Sequence, residues 1–191
     1  MQNKLRIIFK ISAVVLLAAL FIGITVYVNV LDEDNRADVA YQYKIGDKCP
    51  DFTIDLFSSA GADGGKFKLS ETTDQVVVLN FWYTNCAPCN QELPHFNEAQ
   101  IAYGESVRIL AIHAYDVDVK VDKQKFIDKK GYSDYELTFG IDNESTKLTK
   151  KLGIKSAYPM TVILDKDGVI RFTRQGSLSS SDLNAEIEKL L

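Results

Sequence analysis

The 191-residue sequence predicts an α/β domain with a mixed β-sheet flanked by helices, preceded by one transmembrane helix. Two runs of β-branched and aromatic residues, 75–83 and 107–115, are apolar without alternation, which is typical of central strands buried on both faces. Segments with helical spacing follow both runs, so strands and helices alternate along the chain. A third apolar segment, residues 11–31, carries no charge and is long enough to cross a membrane.

This N-terminal apolar segment is predicted to be a retained signal-anchor. At about 1.5 Å per residue, a helix over 11–31 covers roughly the 30 Å of bilayer hydrocarbon. Residues 1–10 carry only basic charges and acidic residues dominate 32–38, so the positive-inside rule places the N-terminus in the cytoplasm and the rest outside. A cleavable signal peptide is the alternative, but Tyr27 and Asn29 stand where its small cleavage-site residues are expected.

The charge pattern divides the chain and limits its partners. We predict a cytoplasmic basic head (1–10), the transmembrane signal-anchor (11–31), an acidic tether (32–44) and one folded domain (45–191). The net charge is −4, and without the basic head the remainder is more acidic still. An acidic domain without a basic, aromatic-interleaved patch is not expected to bind nucleic acid.

The folded domain is predicted to begin with a β-hairpin. Phe52, Ile54 and Leu56 alternate with polar residues, as in a strand that buries one face. The glycine-rich stretch that follows is typical of a turn, and Phe67 and Leu69 fall on the returning strand.

The later elements follow from periodicity and capping residues. Between the two central strands, a helix is predicted from Pro88 to near Gly104, with an apolar face formed by Leu93, Phe96, Ile101 and Tyr103. After the second central strand we expect a charged helix (121–130), a short strand (137–141), a helix capped by Asn143 and ended by Gly153, a hairpin around Asp-Lys-Asp-Gly (160–174) and a C-terminal amphipathic helix (180–191).

A Cys-x-x-Cys pair, Cys86 and Cys89, stands where the first central strand gives way to a helix. Residues i and i+3 of a helix share a face, so their Cα atoms should lie roughly 5 to 6 Å apart, within reach of a disulfide. If Cys86 caps the helix, the positive end of the helix dipole favours its thiolate, which is the attacking species. Cys89 would then be more buried and suited to resolving a mixed disulfide, and Pro88 fits the first helical turn.

Three other roles for the cysteine pair fit the sequence less well. A structural disulfide over so short a loop removes little chain entropy. A zinc site needs four ligands, and Cys49, His95 and His113 form no second ligand pair. Copper carriage is disfavoured because the chain lacks a methionine-rich or histidine-rich segment. A redox centre is favoured, with no metal and no cofactor. His95 and His113 are expected to be structural, and Cys49 is expected to be buried and inert, with a regulatory or intermolecular disulfide as the alternative.

The run "VVVLNFWYTNCAPC", with "ELP" after it and "AYPMTVILDKDGVI" further on, resembles the thioredoxin superfamily. More narrowly, residues 45–191 are similar to the membrane-anchored TlpA/ResA-type thiol-disulfide oxidoreductases of bacteria. The resemblance implies a thioredoxin-like sheet with an N-terminal β-hairpin and a helical insertion near 121–130. It also implies the roles of individual residues: Cys86 the exposed nucleophile, Cys89 the resolving thiol, Pro94 a helix-kinking proline, and Pro159 a cis-proline that faces the disulfide and binds substrate, with Tyr158 as a further substrate contact.

The chain departs from the family pattern at three positions. No carboxylate stands at Asn80, where thioredoxins have a buried acid, or at Ala87, where some anchored members have glutamate. The residue that accepts the proton of Cys89 is therefore not identified from the sequence. Asn85 replaces the tryptophan that many relatives carry before the first cysteine, which makes the surface offered to partners more polar.

These features predict an extracytoplasmic thiol-disulfide oxidoreductase, a reductant in the bacterial cytoplasmic membrane with a single N-terminal anchor. It would form mixed disulfides with cysteine-containing client proteins and receive electrons from a membrane thiol reductase. Cytochrome c-type biogenesis, methionine sulfoxide repair and general disulfide reduction all remain open as its purpose. The alternatives are a peroxiredoxin-like peroxidase, although Tyr83 stands where that family has threonine, and a non-catalytic or metallochaperone-like binding module of the same fold.

Overall fold

A computed structural model describes residues 43–57, 64–72, 74–115, 117–154 and 158–191, which belong to one compact unit. No helix within these ranges is long and apolar enough to span a bilayer. The predicted head, signal-anchor and most of the tether lie outside the described residues, so the predicted division of the chain stays a prediction.

Within the described residues, strands form one mixed sheet in the order β2-β1-β5-β4-β3-β6-β7. The β3–β4 and β4–β5 pairs are parallel and the other pairs are antiparallel, as the sequence predicted for a mixed sheet. The strands are β1 (Thr53–Leu56), β2 (Lys66–Lys68), β3 (Val76–Trp82), β4 (Val107–His113), β5 (Thr138–Ile141), β6 (Met160–Leu164) and β7 (Ile170–Gln175).

The helices cover the two faces of this sheet. They are α1 (Ala87–Tyr103), α2 (Lys123–Lys130), α3 (Leu148–Lys151) and α4 (Ser180–Glu188), with short 3-10 turns at Leu69–Glu71, Gly104–Ser106 and Tyr132–Asp134. Helix α2 lies between β4 and β5, where the resemblance places a helical insertion. We call residues 117–135 the insertion segment.

Strand β3 is central and every one of its residues is buried, as its unbroken apolar run predicted. Val76, Val78 and Trp82 join one apolar cluster with residues of α1 and α4. Val77, Leu79 and Phe81 alternate with them and join a second cluster on the opposite face, because successive strand residues point to opposite sides. The strand therefore holds a rigid position, and the chain that leaves its C-terminal end leads directly to Cys86.

The apolar face of α1 differs from the prediction at Ile101, which is 61% exposed. The buried positions recur at the spacing of Leu93, Phe96 and Gln100, and Ile101 falls about 100° further around the helix. Gln100 takes the buried place because its amide donates to the carbonyls of Gly104 and Val107 and accepts from the Ile109 N–H. A polar residue thus joins the end of α1 to β4.

Two element ends also differ from expectation. Strand β2 ends at Lys68, and Leu69 starts a 3-10 turn because its carbonyl accepts from Thr72. Asn143 closes a turn before α3 rather than capping that helix. The N-cap residue is Lys147, but the capping group is the side chain of Asp142, whose carboxylate accepts from the first two helical N–H groups at 2.7 Å each.

Candidate redox active site

The two cysteines lie at the junction of β3 and α1 and form a disulfide with a Cα–Cα distance of 5.2 Å, as predicted. Cys86 is the N-cap residue of α1, and its Sγ accepts from the Cys89 N–H at 3.2 Å. Pro88 lies in the first helical turn, where its missing N–H leaves no hydrogen bond unmade. The sulfur of Cys86 therefore lies at the positive end of the helix dipole, which stabilises a thiolate there.

The disulfide is more buried than the resemblance implied. Cys86 is 2% exposed and Cys89 is fully buried, and both belong to the apolar cluster that also contains Trp82. The expectation of an exposed Cys86 is wrong for this disulfide-bonded state, because the sulfur turns inward to its partner and to the Cys89 N–H. Tyr83 and Tyr158 pack against the same cluster with their rings edge to face at 5.7 Å.

The Tyr158–Pro159 peptide bond is cis, as the resemblance implied for Pro159. The β3–β6 register pairs Phe81 with Met160, so Pro159 lies beside the C-terminal end of β3. Cys86 follows from the same end of that strand. The Pro159 carbonyl accepts from the Gly176 N–H at 2.8 Å. The fold thus brings Tyr158 and Pro159 to the end of the sheet that carries the two cysteines.

Glu92 is a buried carboxyl group that sequence reasoning missed. It is 2% exposed and accepts hydrogen bonds from Asn80 Nδ2 at 2.7 Å and from the Leu178 N–H at 2.9 Å. Burial raises its pKa from 4.5 to about 7, although both hydrogen bonds act in the opposite direction. Glu92 stands one helical turn after Cys89 on the same face of α1. Its place between Cys89 and Phe96, at the spacing of the buried face, was the signal that could have identified it.

Pro94 lies inside α1, which continues as one helix from Ala87 to Tyr103. Because proline has no N–H, the carbonyl of Asn90 lacks its usual helical partner. The hydroxyl of Tyr132, from the insertion segment, lies 3.5 Å from that carbonyl oxygen and 3.2 Å from Asn90 Oδ1. The Asn90 amide in turn donates to the carbonyls of Thr84 and Cys86 at 3.0 and 2.9 Å. Asn90 therefore joins the insertion segment to the loop before the disulfide.

Asp118 makes a second link between the insertion segment and that loop. Its carboxylate accepts from Thr84 Oγ1 at 2.5 Å, from the Asn85 N–H at 2.9 Å and from Asn85 Nδ2 at 2.8 Å. Burial acts to raise the pKa of Asp118, but these hydrogen bonds outweigh it and the pKa is lowered. The group is therefore ionised at neutral pH. No pattern in the sequence pointed to it.

Cys49 lies away from the cysteine pair, whereas His113 pairs with Trp82 of the apolar cluster that contains both cysteines, and His95 lies on α1. Cys49 is a buried free thiol in the apolar cluster on the opposite face of the sheet, and burial raises its pKa to about 12. His113 is buried in β4, and burial lowers its pKa to about 4, so its ring is neutral. Across the ranges that the structure describes, no group of three or more His, Cys, Asp or Glu residues could hold a metal ion.

Comparison with known proteins places this geometry among thiol-disulfide enzymes. A model of the AhpC/TSA family matches residues 45–173. The thiol-disulfide oxidoreductase ResA of Oceanobacillus iheyensis is 29% identical over 190 residues, 99% of this chain and 91% of the relative. The thioredoxin-like protein YneN of Bacillus subtilis is 30% identical over 144 residues, 75% of this chain and 78% of the relative. A crystal structure from Chlorobium tepidum, provisionally named thiol:disulfide interchange protein DsbE, is 26% identical with a TM-score of 0.64, and the match covers 78% of this chain and 98% of that one.

Proposed function

We propose that this protein reduces disulfides of extracytoplasmic proteins through Cys86 and Cys89. The chain belongs to the AhpC/TSA family and is a thiol-disulfide oxidoreductase of the thioredoxin superfamily. The observation that carries this proposal is the Cys86–Cys89 pair at the N-terminus of α1, with Cys86 as the cap. The uncharged segment 11–31 and the basic residues before it support a membrane anchor with the domain outside.

The proposed reaction transfers two electrons from the dithiol to a client disulfide. The Cys86 thiolate attacks one client sulfur, so a Cys86–client bond forms, the client disulfide breaks and one client thiolate leaves. The Cys89 thiolate then attacks the Cys86 sulfur, closing the disulfide seen here and releasing the second client thiolate. The client gains two electrons and two protons, and the Cys86–Cys89 pair loses them.

We propose that Glu92 accepts the proton that the Cys89 thiol loses. Thiolate formation at Cys89 needs a base in a buried site, and the Glu92 carboxyl lies one helical turn away on the same face. A pKa raised to about 7 by burial means that Glu92 can both accept and release a proton near neutral pH. In this scheme Glu92 is the proton acceptor, the role that a carboxylate at the position of Asn80 or Ala87 would have in relatives.

The client segment is proposed to lie against Pro159 and Tyr158. Both residues lie at the end of the sheet where β3 leads to Cys86. The ring of Tyr158 packs edge to face against that of Tyr83, in the loop before the disulfide. Electrons would return to the oxidised pair from a membrane thiol reductase that acts on the same surface.

The redox potential tests the direction of this reaction. The full chain in detergent is equilibrated with dithiothreitol buffers, and Cys86→Ser, which cannot form the disulfide, serves as the control. A potential at or below about −250 mV is expected for a dedicated reductant, whereas a value above about −180 mV would mean an oxidase or isomerase and overturn the proposal.

A peroxiredoxin-like peroxidase is the second candidate, because the match to the AhpC/TSA family includes the leading segment Pro50–Phe52. Against it, the residue that directly follows β3 is Tyr83, not a threonine, and Cys86 is paired with a cysteine one turn away. Peroxide consumption by the reduced protein at the rate of its disulfide reduction would favour the peroxidase.

A further inference from the structure

We infer that Asp118 fixes the side-chain amide of Asn85 so that Asn85 Oδ1 points away from the Asp118 carboxylate. This oxygen then favours client cysteines that stand next to a residue with a hydrogen-bond donor in its side chain. This inference rests on the proposed function and names the class of client segment that the site favours.

The orientation of the Asn85 amide follows from the chemistry of its partner. An amide's nitrogen and oxygen are nearly indistinguishable by shape, so hydrogen bonds must decide between them. An ionised carboxylate only accepts, so the group facing Asp118 Oδ1 at 2.8 Å must be the Asn85 NH2. The Asn85 backbone N–H donates to the other oxygen, Oδ2, at 2.9 Å. A turned amide would direct its oxygen at this anion, so the Nδ2 bond keeps the amide in one orientation, and the backbone bond keeps the carboxylate beside it.

Asp118 is itself held in place by its neighbours. Its Oδ2 also accepts from Thr84 Oγ1 at 2.5 Å, and Thr84 is buried. Lys123 Nζ donates to the Asp118 carbonyl at 3.3 Å. The backbone of Asp118 has φ 47°, in the left-handed region, which aspartate tolerates better than most residues that have a Cβ. The carboxylate is therefore a fixed anion at this position.

The consequence is an unpaired acceptor beside the nucleophile. Asn85 is exposed and directly precedes Cys86, and its Oδ1 accepts no hydrogen bond from any residue that the structure describes. Water satisfies this oxygen when no client is bound. A client side chain that donates a hydrogen bond replaces that water, whereas an apolar side chain removes the water and leaves the oxygen unpaired.

Matched peptides test this preference. Each peptide carries one cysteine as a mixed disulfide with thionitrobenzoate, so attack of Cys86 on the peptide sulfur releases the coloured leaving group. One peptide has Gln beside the cysteine and the other has Met, which has a similar length, no charge and no donor; both the preceding and the following position are tested. The full chain in detergent, reduced beforehand, should release thionitrobenzoate from the Gln peptide with a second-order rate constant about fivefold higher than from the Met peptide, the ratio expected for one neutral hydrogen bond.

Variants assign the preference to the two residues. Asn85→Leu should bring the ratio close to one. Asp118→Asn presents an NH2 group that lets the Asn85 amide turn over, and the ratio should fall there too. Asp128→Asn is the matched control, because the Asp128 carboxylate on α2 accepts from Gln124 and Ser133 but does not contact the active-site loop, and it should keep the wild-type ratio.

The ratio of the two peptide rates, in the wild type and in the variants, tests each part of the inference. A ratio near one in the wild type, or an unchanged ratio in Asn85→Leu, overturns the inference. An unchanged ratio in Asp118→Asn overturns the role of Asp118, and if that variant does not fold, the exposed Asn85→Leu change still decides the selectivity. If the reduced wild type releases no more thionitrobenzoate than Cys86→Ser from either peptide, the proposed function itself fails, and the inference fails with it.

Discussion

Replacement of Glu92 by Gln removes the buried carboxyl group with little change in shape. Both groups that contact Glu92, Asn80 Nδ2 and the Leu178 N–H, are donors. The amide oxygen of a glutamine can accept from Leu178, and its NH2 can donate to Asn80 if the Asn80 amide turns over. Asn80 Oδ1 has no hydrogen-bond partner among the described residues, so that turn offers a new bond. The variant should therefore fold.

The effect of Glu92→Gln on stability depends on pH. The pKa of Glu92 rises from 4.5 to about 7 on folding, so the folded state holds its proton more tightly than the unfolded state. The stability that this carboxyl contributes is present below pH 4.5 and is lost as the pH rises to about 7. At about 1.4 kcal/mol per pKa unit, the free energy of unfolding of the wild type relative to that of the Gln variant should fall by about 3 kcal/mol across this window. The Gln variant should lack this fall in urea unfolding curves.

The effect on catalysis is specific to the second step. Reaction of the reduced protein with an aromatic disulfide such as dithionitrobenzoate releases one coloured thiolate when Cys86 attacks and a second when Cys89 resolves the mixed disulfide. The first phase should be unchanged in Glu92→Gln. The second phase should slow by about a hundredfold, a typical loss for a general base, and should no longer accelerate as the pH passes about 7.

Two controls make this result interpretable. Cys89→Ser should show the first phase alone, and Glu98→Gln changes an exposed carboxyl group on the same helix and should behave as the wild type. A second phase with wild-type rate and pH profile in Glu92→Gln would refute the assignment of the Cys89 proton to Glu92.

Two further predictions concern stability and reactivity. Asp142→Ala removes the carboxylate that caps α3 and leaves buried N–H groups of Leu148 and Thr149 unpaired, so chemical denaturation should show a loss of about 2 to 4 kcal/mol, against about 1 kcal/mol for Asp122→Ala at the exposed cap of α2. Cys49, with a pKa raised to about 12 by burial, should stay protonated and resist iodoacetamide in the folded protein at pH 8, while reduced Cys86 at the N-terminus of α1 reacts as a thiolate, as mass spectrometry of the alkylated peptides can show; rapid labelling of Cys49 would contradict its raised pKa.

Features of local origin were predictable from the sequence. Strands β3 and β4 have mainly apolar residues without alternation because both of their faces are covered, and the cap at Cys86 agrees with a proline placed in the first helical turn. The prediction that Ile101 belongs to the buried face of α1 was wrong, because apolar character alone does not show which of two adjacent positions faces the sheet. Gln100 occupies the buried position through hydrogen bonds to β4, which periodicity does not reveal.

The polar parts of the site depend on residues far apart in the chain. Glu92 is held by Asn80 and by Leu178, which meet only when β3, α1 and the segment before α4 pack together. Asp118 reaches Thr84 and Asn85 only after the insertion segment folds back over the loop. A sequence pattern reports neighbours along one element, so these contacts between elements had no signal of their own.

The two links of the insertion segment lie on either side of Cys86 along the chain. Asp118 binds the residues just before it, and Tyr132 lies against Asn90, one turn after it. Detachment of the segment would break both links together, so the segment and the start of α1 should open as one cooperative unit rather than as separate surface loops. In hydrogen exchange, the backbone amide of Asn85 should therefore share its opening free energy with amides of α2, although many residues separate them in the chain.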